Sequence, residues 1–215
     1  MSTSLLGVTE TRVAVVVLAA GCSARMPDVN KLALELDGVA LVARVVDAAL
    51  ASTATDVVVV TGSEAEAVSS ALGVRTVRIV HNPDYAEGMG TSIAAGVAAL
   101  PEDTTCALIC LGDLPRLRAD HFDAVIHAFD PLQGQTLCVP VHKGRRGHPV
   151  LFGAYHFDAL RALSADTGAR HILETHADAV REVEVDDAAV NQDIDTPEDW
   201  AALEAECDPD QTPGN

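Results

Sequence analysis

Val13-Ala14-Val15-Val16-Val17-Leu18, running straight into Ala19-Ala20-Gly21-Cys22-Ser23-Ala24-Arg25-Met26, decides the fold. An unbroken apolar run of this length, rich in β-branched residues, reads as a strand covered on both faces. The small residues that follow turn the chain sharply at the strand's carboxyl end. The same apolar character returns at 56–61 (Asp-Val-Val-Val-Val-Thr) and 106–111 (Cys-Ala-Leu-Ile-Cys-Leu), while 76–80 alternates and belongs nearer an edge. Helical patterns at 39–50, 64–72, 91–100 and 120–129 separate these runs. Strand–helix alternation of this kind predicts an α/β fold with a doubly wound, mostly parallel sheet and helices on both faces, a Rossmann-like single domain.

Beyond the first half, short strands are expected at 137–141 and 149–152. Helices near 155–163 and 168–176 follow, then a strand at 181–185. A last helix over 197–206 has Thr196 as its cap and Pro197 in its first position. Residues 12–206 form the expected domain, with 1–11 and 207–215 read as flexible termini.

The composition narrows the function. Hydrophobic residues make up 48% of 215 residues and aromatics only 3%, so Val, Leu, Ile and Ala must fill the core. Fourteen Lys and Arg against 32 Asp and Glu give a formal net charge of -18. That balance argues against a nucleic-acid partner, which needs a basic face to displace phosphate counterions. Cys22, Cys106, Cys110, Cys138 and Cys207 show no C-x-x-C pair, and Cys106 and Cys110 read as small buried hydrophobes. No apolar run reaches the length of a membrane span, so no membrane partner and a cytoplasmic location are expected.

In open parallel sheets ligands bind beyond the carboxyl ends of the strands, so chemistry is sought in those loops. After the first strand, Leu18, Ala19, Ala20 and Gly21 let backbone N–H groups approach a phosphate, and Ser23 adds a hydroxyl. Arg25 and Lys31 bring two cations, conspicuous in so acidic a chain. The loop is neither a G-x-x-x-x-G-K-[ST] P-loop nor a G-x-G-x-x-G dinucleotide fingerprint. After the strand at 106–111, Gly112-Asp113-Leu114-Pro115 holds a carboxylate rigidly at the ligand edge, where a magnesium ligand would stand. Near the end, Asn191-Gln192-Asp193-Ile194-Asp195-Thr196-Pro197-Glu198-Asp199 offers a second metal ligand, either Asp193 or Asp195. Gly88-Met89-Gly90-Thr91-Ser92 forms another small-residue loop that opens a helix, after His81-Asn82-Pro83. Lys143-Gly144-Arg145-Arg146-Gly147-His148-Pro149 is the one dense basic cluster and suits an anionic acceptor, though a solvated hairpin turn is its ordinary explanation. His171 and His176 read as surface residues.

Leu18-Ala19-Ala20-Gly21-x-Ser23-x-Arg25-Met26 with Lys31 resembles the signature loop of the MobA-like nucleotidyltransferases, most nearly the molybdenum cofactor cytidylyltransferases. Pro27 stands where the family usually has Gly. Gly112-Asp113-x-Pro115 is similar to the family's metal motif, and Asp193-x-Asp195-Thr196-Pro197-Glu198-Asp199 to its closing motif. Gly147-His148-Pro149 and Asp166-Thr167-Gly168-Ala169-Arg170 are similar to its acceptor-side segments. The resemblance implies a triphosphate wrapped by the first loop and neutralised by Lys31. It places Gly88, Met89, Gly90 and Ser92 against base and ribose. Arg146, Gly147, His148 and Arg170 fall on the acceptor side, Arg25, Lys31 and Asp113 in catalysis, and Mg²⁺ on Asp113 with Asp193 or Asp195. Ala20 favours cytosine, since CTP users tend to read Leu-Ala-Ala-Gly and GTP users Leu-Ala-Gly-Gly. The implied reaction is transfer of CMP from CTP to a phosphorylated acceptor, molybdenum-bearing molybdopterin, with transient contact to a molybdoenzyme or its chaperone. GTP and other phosphorylated acceptors stay open. So does hydride transfer from NAD(P)H, because some proteins similar to the family are described as oxidoreductases of quinoid pigments.

Overall fold

The computed structural model describes residues 11–22, 25–26, 30–165 and 168–207. In chain order the elements are β1 (Val13–Ala19), the short pair β2 (Glu35–Leu36) and β3 (Val39–Ala40), α1 (Leu41–Leu50), β4 (Asp56–Thr61) and α2 (Ala65–Leu72). There follow β5 (Arg78–His81), α3 (Met89–Ala98), β6 (Cys106–Leu111), α4 (Ala119–Ala128), β7 (Leu137–His142), β8 (Arg145–Arg146) and β9 (Val150–Gly153). The chain closes with α5 (Phe157–Arg161), α6 (Arg170–Thr175), β10 (Val180–Glu184) and α7 (Pro197–Cys207).

The main sheet runs β10-β7-β9-β6-β1-β4-β5, with β8 paired to β7 off this path. Strands β6, β1, β4 and β5 are mutually parallel, as are β10 and β7. Strand β9 lies antiparallel to both β6 and β7, which joins the two parallel parts into one mostly parallel sheet. Because side chains alternate across a strand, β1 supplies both faces of the core. Val13, Val15, Val17 and Ala19 pack with Val42, Val45 and Val46 of α1 on one side. Ala14, Val16 and Leu18 meet Ile93 and Val97 of α3 on the other. This two-sided burial is why the run carries no polar residue. Cys106, Cys110 and Cys138 are buried within the same layers, and burial pushes the Cys106 thiol up to about 12.

Two expectations, at 39–50 and at His176, need correction. The pattern at 39–50 is not one helix: Val39 and Ala40 pair with Leu36 and Glu35 across a turn in which Asp37 and Gly38 take positive φ, and α1 begins at Leu41. The hairpin explanation of the basic cluster is borne out for part of it, with Arg145–Arg146 paired to β7 around a Lys143-Gly144 turn of positive φ. His176 is half-buried, its ring set edge-on to His156 and Tyr155 at centroid distances of 5.0 and 6.5 Å, whereas His171 is exposed as expected.

The order places β1 between β4 and β6. Connections from β1 lead toward β4 and β5, while those from β6 lead toward β9 and β7. Loops that diverge from neighbouring strand ends leave a crevice, the switch point where doubly wound sheets bind ligands.

Candidate functional site

The loops leaving β1 and β6 meet at this crevice, where Gly112 N donates to Leu18 O at 2.9 Å. The closing segment is tied to the same place: Ile194 N donates to Asp113 O at 3.0 Å. Ile194 itself is buried with Leu36, Leu41 and Leu203, so the β2–β3 pair and α7 anchor the segment that carries Asp193 and Asp195. Asp199 completes the anchor as a capping residue of α7. Its Oδ2 accepts from Thr196 N and Thr196 Oγ1, both at 2.8 Å, and from Asp195 N at 3.1 Å, while Asp199 N donates to Thr196 Oγ1 at 3.2 Å. The predicted Thr196 cap is therefore present, with Asp199 reciprocating.

A cleft of about 600 Å³ opens over these ends, lined by Leu18, Ala20, Gly21, Arg25, Lys31, Met89, Ser92, Asp113, Asp193 and Asp195. Its charges are closely interlocked. Lys31 begins a short 3-10 turn capped by Asn30, whose Oδ1 accepts from Leu32 N at 3.1 Å. From there Lys31 Nζ donates to Asp113 Oδ2 at 2.6 Å and to Asp195 Oδ1 at 2.7 Å. Arg25 donates to the other oxygen of Asp195. Burial alone would lower the Lys31 pKa, but Asp113 and Asp195 outweigh it and hold it above its usual value. The Lys31 hydrogen bond, with Arg25 beside it, holds Asp195 below the ordinary carboxylate range.

Asp193 behaves oppositely. Partial desolvation and the nearby Asp195 and Asp113 carboxylates push it upward. Asp113 Oδ1 is buried and has no hydrogen-bond partner among the described residues. An unpartnered buried carboxylate oxygen beside a carboxylate short of positive charge is a donor set that fits a hard divalent ion. Among the described residues no three His, Cys, Asp or Glu side chains are arranged to hold a metal by themselves. Magnesium commonly takes only one or two carboxylates and completes its shell with phosphate oxygens and water.

Of the residues expected around a nucleotide, Leu18, Ala20, Gly21, Met89 and Ser92 do line the cleft. Ala19 instead turns its side chain into the core. Gly90 donates its N–H to Ala165 O at 3.0 Å, and Gly88 turns the chain into α3 with a φ of 132°. Ser23 lies outside the described residues, as do Pro27, Asp166 and Thr167. Sequence reasoning missed Tyr85, which stands in the cleft wall. Its place depends on Gly62: a Cβ there would lie 2.5 Å from Tyr85 Cβ and 2.9 Å from Ala20 Cβ. In a chain so poor in aromatics, a tyrosine between two small-residue motifs was the available signal.

A second cavity of about 520 Å³ adjoins the first, and Leu18 and Met89 line both. Arg146, Gly147, His148 and Arg170 all reach it, so the residues expected on the acceptor side are brought together. Its walls are apolar: Ile93, Ile109, Val139, Val150, Phe152 and Leu173. None of these was predicted, because in sequence they are indistinguishable from core. Gly147 packs so tightly on the closing segment that a Cβ would come within 2.2 Å of Val190 O. His148 is pinned by its own N–H to Val190 O at 2.8 Å, with ring Nδ1 3.3 Å from Ile109 O. Burial lowers its pKa, so the imidazole is neutral at physiological pH. Arg146 pairs with Glu182 and Arg170 with Glu174, each at 2.8 Å.

The chain is similar to known proteins. The family profile for the MobA-like NTP transferase domain matches residues 15–209. The nicotine blue oxidoreductase of Paenarthrobacter nicotinovorans is 32% identical over 199 residues, 87% of this chain and 94% of that protein. The molybdenum cofactor cytidylyltransferase of Escherichia coli (strain K12) is 32% identical over 126 residues, 58% of this chain and 60% of that protein. Among solved structures, Rv0371c of Mycobacterium tuberculosis H37Rv in complex with manganese superposes with a TM-score of 0.75 at 25% identity, covering 90% of this chain and 98% of that one. With a nucleotidyltransferase crevice built at the switch point and a family profile spanning nearly the whole chain, the protein belongs to the MobA-like NTP transferase family.

Proposed function

We propose that this nucleotidyltransferase moves CMP from CTP to the terminal phosphate of a phosphorylated acceptor, molybdenum-bearing molybdopterin. The observation that carries the reading is the cluster of Lys31, Arg25, Asp113 and Asp195 facing a cleft floored by Ala20 and Gly21, with a second cavity opening beside it. The first cleft suits a triphosphate and the second an acceptor, and they meet at Leu18 and Met89.

In the reaction an acceptor phosphate oxygen attacks the α-phosphorus of CTP. The new P–O bond forms as the bond to the bridging α–β oxygen breaks, and pyrophosphate leaves with that electron pair. The protein needs no nucleophile of its own; positioning and charge neutralisation carry the rate. Lys31 and Arg25 meet the charge gathering on the departing pyrophosphate. Asp113 would hold Mg²⁺ through its unpartnered Oδ1, and Asp193 is the better second ligand because Asp195 is already neutralised by Lys31 and Arg25. When bound, the ion would offset the negative charge of the triphosphate beside these acids. The cytosine preference rests on Ala20, and a molybdoenzyme or its chaperone would receive the product.

Hydride transfer from NAD(P)H to a quinoid compound is the competing reading, favoured by the long match to nicotine blue oxidoreductase. The first loop speaks against it, since it offers two cations and no G-x-G-x-x-G. Pyrophosphate release should be measured from each of the four NTPs, with and without molybdenum cofactor. Acceptor-dependent release from CTP supports the proposal. Release from GTP alone would reject the cytidylyl assignment, and release from none would reject nucleotidyl transfer.

A further inference from the structure

Asn82 lies just beyond β5 and is 3% exposed, with its backbone N–H on Thr61 O at 2.8 Å. Its side-chain amide has a unique orientation. Oδ1 accepts from Asp84 N at 3.0 Å, so Nδ2 faces two hydroxyls and donates to Thr91 Oγ1 at 2.9 Å and to Ser92 Oγ at 3.0 Å. The reversed amide would set its NH₂ against the Asp84 N–H. Thr91 passes its own proton to the carbonyls of Gly88 and Asp84, at 2.9 and 3.0 Å. Ser92 does not: among the described residues its proton meets no acceptor. Yet Ser92 is only 4% exposed and lines the first cleft.

A buried hydroxyl with one lone pair engaged and its proton unused is a donor that lacks its acceptor, and such groups are costly to leave unsatisfied. We infer that Asn82 is a positioning residue that fixes Ser92 as a one-way hydrogen-bond donor to the nucleoside of the bound triphosphate. The ligand atom opposite Ser92 is therefore an acceptor, a carbonyl oxygen, ring nitrogen or ribose oxygen, and a group that can only donate is refused there. The phosphates are engaged elsewhere, by Arg25 and Lys31. The inference rests on the nucleotidyl-transfer reading.

Isothermal titration of Mg–CTP and of Mg–pyrophosphate against the wild-type protein, Ser92→Ala, Asn82→Asp and the double variant tests it. Asn82→Asp keeps the acceptor for Asp84 N but replaces the donor, turning the Ser92 proton inward. Each single change should weaken Mg–CTP by about tenfold, the loss of one hydrogen bond. The double variant should be no weaker than Ser92→Ala, because both changes remove the same contact. Affinity for Mg–pyrophosphate should stay within about twofold, which a general collapse of the loop would not allow. Additive losses, or equal losses for the two ligands, overturn the inference. Melting curves report folding, and if Asn82→Asp does not fold, unchanged Mg–CTP affinity in Ser92→Ala alone overturns it. A wild-type protein that binds neither Mg–CTP nor Mg–GTP sinks the nucleotidyl-transfer reading and this inference together, an outcome visible before any variant is compared.

Discussion

On either side of Leu18 and Met89 the molecule uses charge in opposite ways. In the first cleft Lys31 and Arg25 are paired with Asp113 and Asp195, all four lining the cleft, with Lys31 and Asp113 largely buried. In the second cavity the two arginines are paired with Glu182 and Glu174, His148 is neutral, and the walls are aliphatic or aromatic. Under the proposed function the first region handles phosphate charge and the second selects the acceptor by shape. In a chain with a net charge of -18, Arg25 and Lys31, two of its fourteen Lys and Arg residues, stand beyond β1 among the carboxylates of Asp113, Asp193 and Asp195.

The comparison breaks most sharply at Asp113. Replacing it with Ala should cut turnover by about 10²–10³-fold or more, the scale seen when one preorganised charge partner is removed, while the melting temperature changes little. Near-normal turnover with Mg²⁺ would remove Asp113 from the metal site. Lys31→Ala comes next. Loss of a charge-assisted contact worth about 1.5–3 kcal/mol should weaken Mg–CTP by ten- to a hundred-fold in a titration. It also leaves Asp113 facing Asp195, so the unliganded protein should melt lower; an unchanged titration curve would return Lys31 to a purely structural role. In the second region Arg170→Ala should raise the acceptor KM only a few-fold, since Arg170 is exposed at the rim, and should leave the Mg–CTP Kd unchanged. A changed Mg–CTP affinity there would erase the division of labour.

The smallest effect sharpens the comparison through pH. Asp193 has a raised pKa, so the folded protein binds its proton at higher pH than the unfolded chain does. Its ionised form therefore destabilises the unliganded fold at neutral pH, and the penalty fades as pH falls through the folded pKa. Asp193→Asn should raise the melting temperature at pH 7, by roughly a degree given its exposure, with the gain vanishing in acid. Turnover should fall in the same variant. A lower melting temperature at pH 7 would contradict the sign.

How much of this was legible in the chain differs between the regions for physical reasons. The bounds of β4 and β6 stand in the sequence because strands buried on both faces are unbroken apolar runs. Val39 and Ala40 read as helix because they continue the apolar pattern of α1, and only the Asp37-Gly38 turn shows otherwise. Arg25, Lys31 and Asp113 could be picked out because charge beside small residues at strand ends is unusual in so apolar a setting, whereas Asp193 and Asp195 stood out as alternating acids before a capped helix and through the resemblance to the family's closing motif. Phe152, Val139 and Leu173 could not, since an apolar cavity wall and an apolar core obey the same pattern. Asn82 lay in a recognisable motif, but its role depends on which hydroxyls α3 brings to it.

The central claim is that the first cleft binds a nucleoside triphosphate with a divalent ion. The most direct measurement is the melting temperature with CTP, GTP or NADPH, each with and without Mg²⁺, because a ligand that binds only the native state stabilises it by mass action. The account predicts a clear rise with Mg–CTP and little with CTP alone, since the phosphates would otherwise face Asp113, Asp193 and Asp195. Stabilisation by NADPH that is indifferent to Mg²⁺, with no response to Mg–CTP or Mg–GTP, would contradict it.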